Sequence, residues 1–451
     1  MGSTLQRIIS IPMRLKSLFE FSQHRFVKSV ATLQVGSFAG TVFQAGVGVL
    51  IARILQPELF GVYSLVFGLA GLGGLLLGAG TQEAVATILG SAYAKQDRQE
   101  VSEALSFLLK ITLYAGAVTL VLVFFLPYAA SYFYGNPLIG WYASLVILGV
   151  FLSSSITAVV QLSLQVVGRI KILTLIVFGD QFLRFGSALI LVFLGFGVLG
   201  AVGGQLIGAI ITFLASVLVW ENIKNNHPLF PPLRKLLGQV SKIPIKKYFG
   251  FSFWVAVDRN MGNLFMVLPV VLTGIYVSAG EVSFFKLAFG FINLALSLLG
   301  PISTLLNVEF TRMQVEDPKK LYYNLVKVSL YGVLFSSVLT VGMIALSPIA
   351  FKLLYGASFV PGVKYVFGLL FYGALFGVGI GLGPMWRALN AVKTSIIINL
   401  FVLGFGIPSG LYMIRSWGLW GAVAMVTLWF TVSHLISFFY LARRLGRLPK
   451  S

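Results

Sequence analysis

Apolar runs of about 20 residues, broken by short polar stretches, recur along the whole chain. A helix of about 20 residues, rising about 1.5 Å per residue, crosses the hydrocarbon core of a bilayer. Strands of a membrane barrel would instead show alternating segments of about ten residues. In hydrocarbon the backbone must satisfy its own polar groups, so continuous apolar runs predict helices. Twelve spans are expected, at 31–52, 60–82, 104–126, 141–166, 172–194, 201–220, 251–272, 282–305, 325–347, 364–384, 395–413 and 421–441. The pattern predicts an all-α polytopic membrane protein.

An even number of spans puts both ends of the chain on one side. Basic residues concentrate in cytoplasmic loops, which says which side that is. Of the 33 Lys and Arg residues, 24 fall in the terminal segments and in the loops after even-numbered spans. Four (Arg53, Lys352, Lys364, Arg415) fall in the opposite loops and five within spans. Both termini are therefore expected in the cytoplasm. A miscounted span would have reversed this bias downstream, so the charge distribution also supports the count.

The longest loop, 221–250, is the most basic and carries Pro228, Pro231, Pro232 and Pro244. It separates two stretches that resemble each other. Gly61-Val-Tyr-Ser-Leu65-Val-Phe67-Gly68 matches Ser283-Phe-Phe-Lys-Leu287-Ala-Phe289-Gly290 at offset 222. Pro127, Ala129 and Tyr134-Gly135 match Pro348, Ala350 and Tyr355-Gly356 at offset 221, and Gly197-Val-Leu-Gly200-Ala-Val202 matches Gly418-Leu-Trp-Gly421-Ala-Val423 at the same offset. Three matches in order imply a duplication. The expected organisation is a basic segment (1–30), a six-helix bundle (31–220), a basic linker (221–250), a second six-helix bundle (251–441) and a basic tail (442–451). Six spans per copy inserts both copies the same way round, so a pseudo-two-fold along the membrane normal should relate them around a central cavity.

Composition narrows the function further. With 58% hydrophobic and only 10% charged residues, a soluble globule is excluded. The net charge of +20 would suggest nucleic acid in a soluble protein; here topology and anionic membrane lipids account for it, and no nucleic-acid partner is expected. Met1–Lys28 is basic but lacks the apolar core and small-residue site of a cleaved signal, and is expected to lie at the interface. There is no cysteine, no phosphate-binding Gly-Lys-Ser/Thr loop and no Gly-x-Ser-x-Gly, and three histidines show no metal spacing. No catalytic residue, metal or cofactor is expected, and the chain is not expected to be an enzyme. The Gly377-Val-Gly379-Ile-Gly381-Leu-Gly383 run has apolar neighbours and is assigned to packing or hinging.

Ionisable residues inside spans are costly and tend to face a cavity or a partner. Asp180 and Arg184 share one face of the fifth span, being four residues apart. Asp258 and Arg259 lie in the seventh, Lys110 in the third, Lys286 near the outer end of the eighth and Lys327 in the ninth. Guanidinium and ammonium groups in a wet cavity would favour an anion, phosphate above all. Arg184, Arg259, Lys110 and Lys286 are the candidate substrate-binding residues. Asp180 and Asp258 either position those arginines or carry a coupling proton. Lysines near span ends also snorkel to the interface, which is the alternative for Lys286 and Lys327. Glu83 and His434 are assigned to interface and packing.

The segment Ala52-Arg53-Ile-Leu-Gln-Pro57-Glu-Leu-Phe60-Gly61-Val-Tyr63, with Gly274-Ile-Tyr276-Val-Ser-Ala-Gly-Glu281-Val-Ser-Phe284 in the second copy, resembles the polysaccharide-exporter or oligosaccharide-flippase (Wzx-like) family. That family belongs to the multidrug/oligosaccharidyl-lipid/polysaccharide superfamily. The resemblance covers nearly the whole chain. It implies twelve spans in two six-helix bundles and transfer of a polyprenyl-pyrophosphate-linked oligosaccharide across the cytoplasmic membrane by alternating access, for surface polysaccharide biosynthesis. Its implied partners are that lipid-linked substrate, membrane lipids and a polysaccharide polymerase or assembly proteins. A cation-coupled multidrug exporter of the same superfamily is the alternative.

Overall fold

A computed structural model describes residues 25–77, 81–244, 250–318 and 320–446. Most of the expected basic N-terminal segment, part of the linker and the end of the tail lie outside the described residues. Sixteen α-helices dominate the rest, and among the described residues there is no strand. They are α1 (Arg25–Leu77), α2 (Thr81–Ala94), α3 (Arg98–Tyr134), α4 (Pro137–Val167), α5 (Ile170–Leu191), α6 (Gly197–Asn226), α7 (Leu233–Gln239) and α8 (Phe251–Thr273). There follow α9 (Ala279–Leu296), α10 (Gly300–Glu316), α11 (Lys320–Ala350), α12 (Val363–Gly368), α13 (Leu370–Phe376), α14 (Leu382–Ala388), α15 (Val392–Trp417) and α16 (Leu419–Gly446).

Nine continuous stretches among the described residues are long and apolar enough to cross a membrane, and α12–α14 make one more as a span bent by 53°. Two of the nine contain a reversal. In α1 the chain turns at Gln56 (φ 59°, ψ 171°), just before Pro57. Between α5 and α6 it turns through the Val192–Phe196 π-helical turn, at Gly195 and Gly197. Neighbouring contacts confirm the first, and Gly204 and Gly208 of the later limb, against Ala188 and Arg184 of the earlier one, confirm the second. Gly40 and Phe43 on the first limb of α1 lie beside Gln181 and Phe182 of α5, whereas Gly73 on the second limb meets Ile147 of α4. Counting the limbs separately yields the twelve passes expected, in the all-α polytopic class.

Local chemistry sets the ends of the passes. Asp97 accepts from the Gln99 and Glu100 amides to start α3, Asn136 caps α4 ahead of Pro137, and Ser278 with Glu281 forms a capping box on α9. One pair of matched glycines also corresponds in backbone. Gly197 and Gly418, 221 positions apart, have φ/ψ of 55°/−137° and 56°/−132°, a conformation that favours glycine. Gly200 and Gly421 press on the backbone of the preceding pass, at Leu191 and Met413 respectively. Gly204 and Gly208 continue the α6 face and let the α5 backbone approach at Ala188 and Arg184.

The halves meet at the end of the bundles remote from the linker. Glu58 Oε2 accepts from the Gly280 amide at 3.0 Å, Gln56 Oε1 accepts from Ser358 Oγ at 2.8 Å, and the Tyr134 hydroxyl donates to the Val271 carbonyl at 3.0 Å. At Gly61 the contact is so close that a Cβ would fall 1.6 Å from the Ala279 carbonyl oxygen. Further along, Asn260 Nδ2 donates to the Leu75 carbonyl at 3.1 Å.

At the opposite end the linker is docked on the first half. Phe230 and Leu236 are buried beside Trp220, and Gln239 Oε1 accepts from Ser102 and Ser106 of α3. His227 closes α6 and stacks edge-on against Phe230; burial, with the Arg169 charge nearby, lowers its pKa below the ordinary 6.5.

Candidate functional site

The acid–base pair of the fifth pass forms as the four-residue spacing predicts. Arg184 Nε lies 2.7 Å from Asp180 Oδ1, and its Nη2 donates to Ser153 Oγ on α4. The Arg184 side chain is 13% exposed and that of Asp180 26%, so the pair sits inside the first bundle with the carboxylate nearer open space. An arginine so engaged offers a ligand less than a free guanidinium would.

Lys110 is buried, with its ammonium 2.8 Å from the Ile243 carbonyl and 3.5 Å from that of Ser241, so it holds the linker against α3. Those acceptors lie more than 130 residues away in sequence, in a segment with no helical period to place it.

The seventh pass splits its two charges. Arg259 is exposed, while Asp258 turns into the second bundle and accepts from Ser395 Oγ of α15 at 2.7 Å. From there the chain of bonds continues: Asn399 Nδ2 to Ser395 Oγ at 3.5 Å, and Ser433 Oγ of α16 to Asn399 Oδ1 at 2.7 Å. The Arg387 guanidinium attracts Asp258 and donates through Nη1 to Asn307 Oδ1 at 2.9 Å. Neighbours in sequence diverge by about 100° around a helix, so one position facing inward turns the other away. Arg387 falls in the expected cytoplasmic loop between the tenth and eleventh spans. The signal that could have found this network is the four-residue repeat Ser395–Asn399 inside an apolar pass.

Lys286 is exposed although hemmed in by protein, as a side chain lining a cleft would be. Asn293, Ser297 and Gly300 follow it at seven, eleven and fourteen residues. At about 100° per residue, Asn293 shares its face of α9, while Ser297 and Gly300 lie past the end of that helix. They line a cavity of about 380 Å³ inside the second bundle, closed on the far side by Phe376, Gly379 and His434. The helix breaks there: a 3-10 turn at Ser297–Leu299 joins α9 to α10, and a second at Gly377–Gly381 joins α13 to α14. Irregular backbone at this depth is tolerated where it is buried in protein or lines a cavity. The glycine run assigned to packing serves that cavity: a Cβ at Gly379 would stand 2.6 Å from the His434 ring. Tyr372 donates to Asn293 Oδ1 at 2.6 Å and fixes that amide. His434, assigned to packing, is a cavity-lining residue. Lys327 is exposed and stands over the Tyr323 and Tyr331 rings at 6.0 and 5.9 Å. The Glu83 side chain lies outside the described residues.

Among the described residues no cluster of three or more His, Asp or Glu side chains could hold a metal ion. Within the passes, the charged side chains thus form a guanidinium–carboxylate pair in one bundle and, in the other, a carboxylate-centred chain of hydrogen bonds.

Solved structures share this architecture. An inward-facing multidrug resistance MATE family transporter of the MOP superfamily superposes with a TM-score of 0.70 at 15% identity, over 93% of this chain and 98% of that one. The lipid II flippase MurJ in an inward closed conformation gives 0.64 at 17% identity, over 92% and 88%. A eukaryotic MATE transporter, AtDTX14, gives 0.60 at 16%, over 92% and 96%. At these identities the likeness is one of fold, twelve passes in two bundles. No curated protein matches the chain by sequence. A family model described as "Polysaccharide biosynthesis protein" matches residues 50–364, from the first reversal through most of both bundles, and on that match, in the fold just described, the chain belongs to the polysaccharide biosynthesis protein family.

Proposed function

We propose that the protein is a flippase that carries a polyprenyl-pyrophosphate-linked oligosaccharide from the cytoplasmic to the outer leaflet by alternating access, without covalent chemistry. The observation that carries this is the match to the polysaccharide biosynthesis family over most of the chain. Asn293, Ser297 and Ser303 give the cavity of the second bundle amide and hydroxyl groups that could meet a glycan. The membrane is the inner one, with the linker and both termini in the cytoplasm, and the Glu58, Gln56 and Gly61 contacts then close the outer side. The head group enters from the cytoplasm, with Lys286 and the two arginines Arg184 and Arg259 meeting its charge. A polysaccharide polymerase or assembly protein would receive the product.

Cation-coupled export of a small organic molecule is favoured by one observation, the Asp258 carboxylate at the head of a hydrogen-bonded chain through Ser395, Asn399 and Ser433. In proteoliposomes, the flippase function requires translocation of a fluorescent polyprenyl-pyrophosphate oligosaccharide. Lys286→Met, and the pair Arg184→Ala with Arg259→Ala, should abolish it with the protein still inserted. Normal glycan export by these variants, or transport of organic cations instead, would overturn the proposal. Asp258→Asn should remove any dependence on an imposed ion gradient in either case.

A further inference from the structure

A second cavity, of about 500 Å³, lies against the first and shares two of its wall residues, Leu299 and Ile380. It opens between α10 and α11, and Ile302, Val328, Tyr331 and Val338 are among its lining. The phenol of Tyr331 is the one polar side-chain group in that lining. On α11 Leu330, Tyr331, Leu334 and Val338 are each more than 60% exposed, so this helix presents its side chains to the surrounding hydrocarbon. The slot is thus apolar and opens toward lipid at one end, while at the other it abuts a cavity carrying Asn293, Ser297, Ser303 and His434. The two helix breaks, at Ser297–Leu299 and Gly377–Gly381, lie on the shared wall. Close by, Gly332 of α11 presses on the Gly377 carbonyl. One turn from Tyr331, the Lys327 ammonium is exposed beside the slot.

An apolar slot leading to a cavity that holds several polar groups suits a ligand with an apolar tail and a polar head. We infer that the slot between α10 and α11 seats the polyisoprenoid tail of the transported lipid, so that the substrate enters the second bundle sideways, its phosphate passing Lys327 and its sugar head reaching Asn293, Ser297 and Ser303. The identity of that occupant rests on the flippase function proposed above. Bilayer hydrocarbon is as apolar as the slot, so seating a tail there yields no transfer free energy. What the slot supplies is shape and register. Its effect falls on how readily a tailed substrate finds the cavity, not on protein stability.

The test uses the reconstituted full chain and two forms of one head group, with a long or a short isoprenoid tail. Val338→Trp fills the slot. It should slow transport of the long-tailed form about tenfold and leave the short-tailed form within about twofold of the parent. A polyprenyl phosphate carrying a diazirine on its tail should label the peptide around 328–338 in the parent protein. Equal loss for both forms, labelling elsewhere, or labelling abolished by excess phosphatidylglycerol would overturn the inference, the last marking the slot as a place for bilayer acyl chains. If the parent moves neither form, the flippase function falls. The labelling still decides the slot by itself, because a polyprenyl phosphate needs no transport to occupy it.

Discussion

Gly61→Ala probes the seal between the halves with a single added carbon. That Cβ would sit 1.6 Å from the Ala279 carbonyl oxygen. Carbon and oxygen settle near about 3.3 Å in close contacts; the start of α9 must therefore retreat by roughly 1.7 Å. The neighbouring Gly280 amide, now 3.0 Å from Glu58 Oε2, would move with it beyond hydrogen-bonding reach. A hydrogen bond to a charged acceptor contributes about 1.5–3 kcal/mol. Losing one at about 2 kcal/mol shifts the closed-to-open balance of this seal roughly thirtyfold. The chain has no cysteine, so Gln56→Cys with Ser358→Cys reports closure by oxidative crosslinking without background. Crosslinking should slow markedly in the Gly61→Ala background, and transport should slow with it because the closed state is under-populated. Crosslinking and transport at parental rates would show that the close contact does not hold the halves together.

Other perturbations have separate readouts. Arg184→Ala strands the Asp180 carboxylate and should lower stability by about 2 kcal/mol, discounted from the 3–5 typical of a fully buried pair because Asp180 is partly exposed; adding Asp180→Asn should restore most of it in thermal unfolding. Lys110→Met removes the charged donor to Ile243 and Ser241 and should cost the linker dock about 1.5–3 kcal/mol, seen as faster tryptic cleavage at Lys242. His227, with its pKa lowered by burial and Arg169, favours the docked state while neutral. That contribution is present above pH 6.5 and is lost as pH falls through the lower folded value, so hydrogen exchange over 227–243 should quicken in acid, and His227→Gln should flatten the response.

Much of the fold was legible because the membrane imposes a strong period on the sequence. Continuous apolar runs gave the passes, and the glycine pairs at offset 221 gave the duplication, since Gly197 and Gly418 occupy one unusual backbone conformation. Side-chain destinations were less legible. Asp258 and Arg259 are adjacent, and only the packing of α8 against α15 decides that the acid turns inward. Lys110 reads like a membrane-embedded charge, yet its partners are carbonyls of the linker. Arg387 falls in an expected loop by hydropathy, yet it lies near enough to Asp258 to attract it. In each case the deciding contact is non-local, and hydropathy carries no information about it.

The anchored linker sets a leash on the transport cycle. Because Lys110 pins the Ile243 carbonyl to the first bundle and α8 begins at Phe251, only eight peptide steps join the two bodies on that side. A fully extended chain covers at most about 3.5 Å per step, so the bundles can part there by no more than about 28 Å beyond the anchor. The opening of the bundles on that side thus has an upper bound written in backbone length.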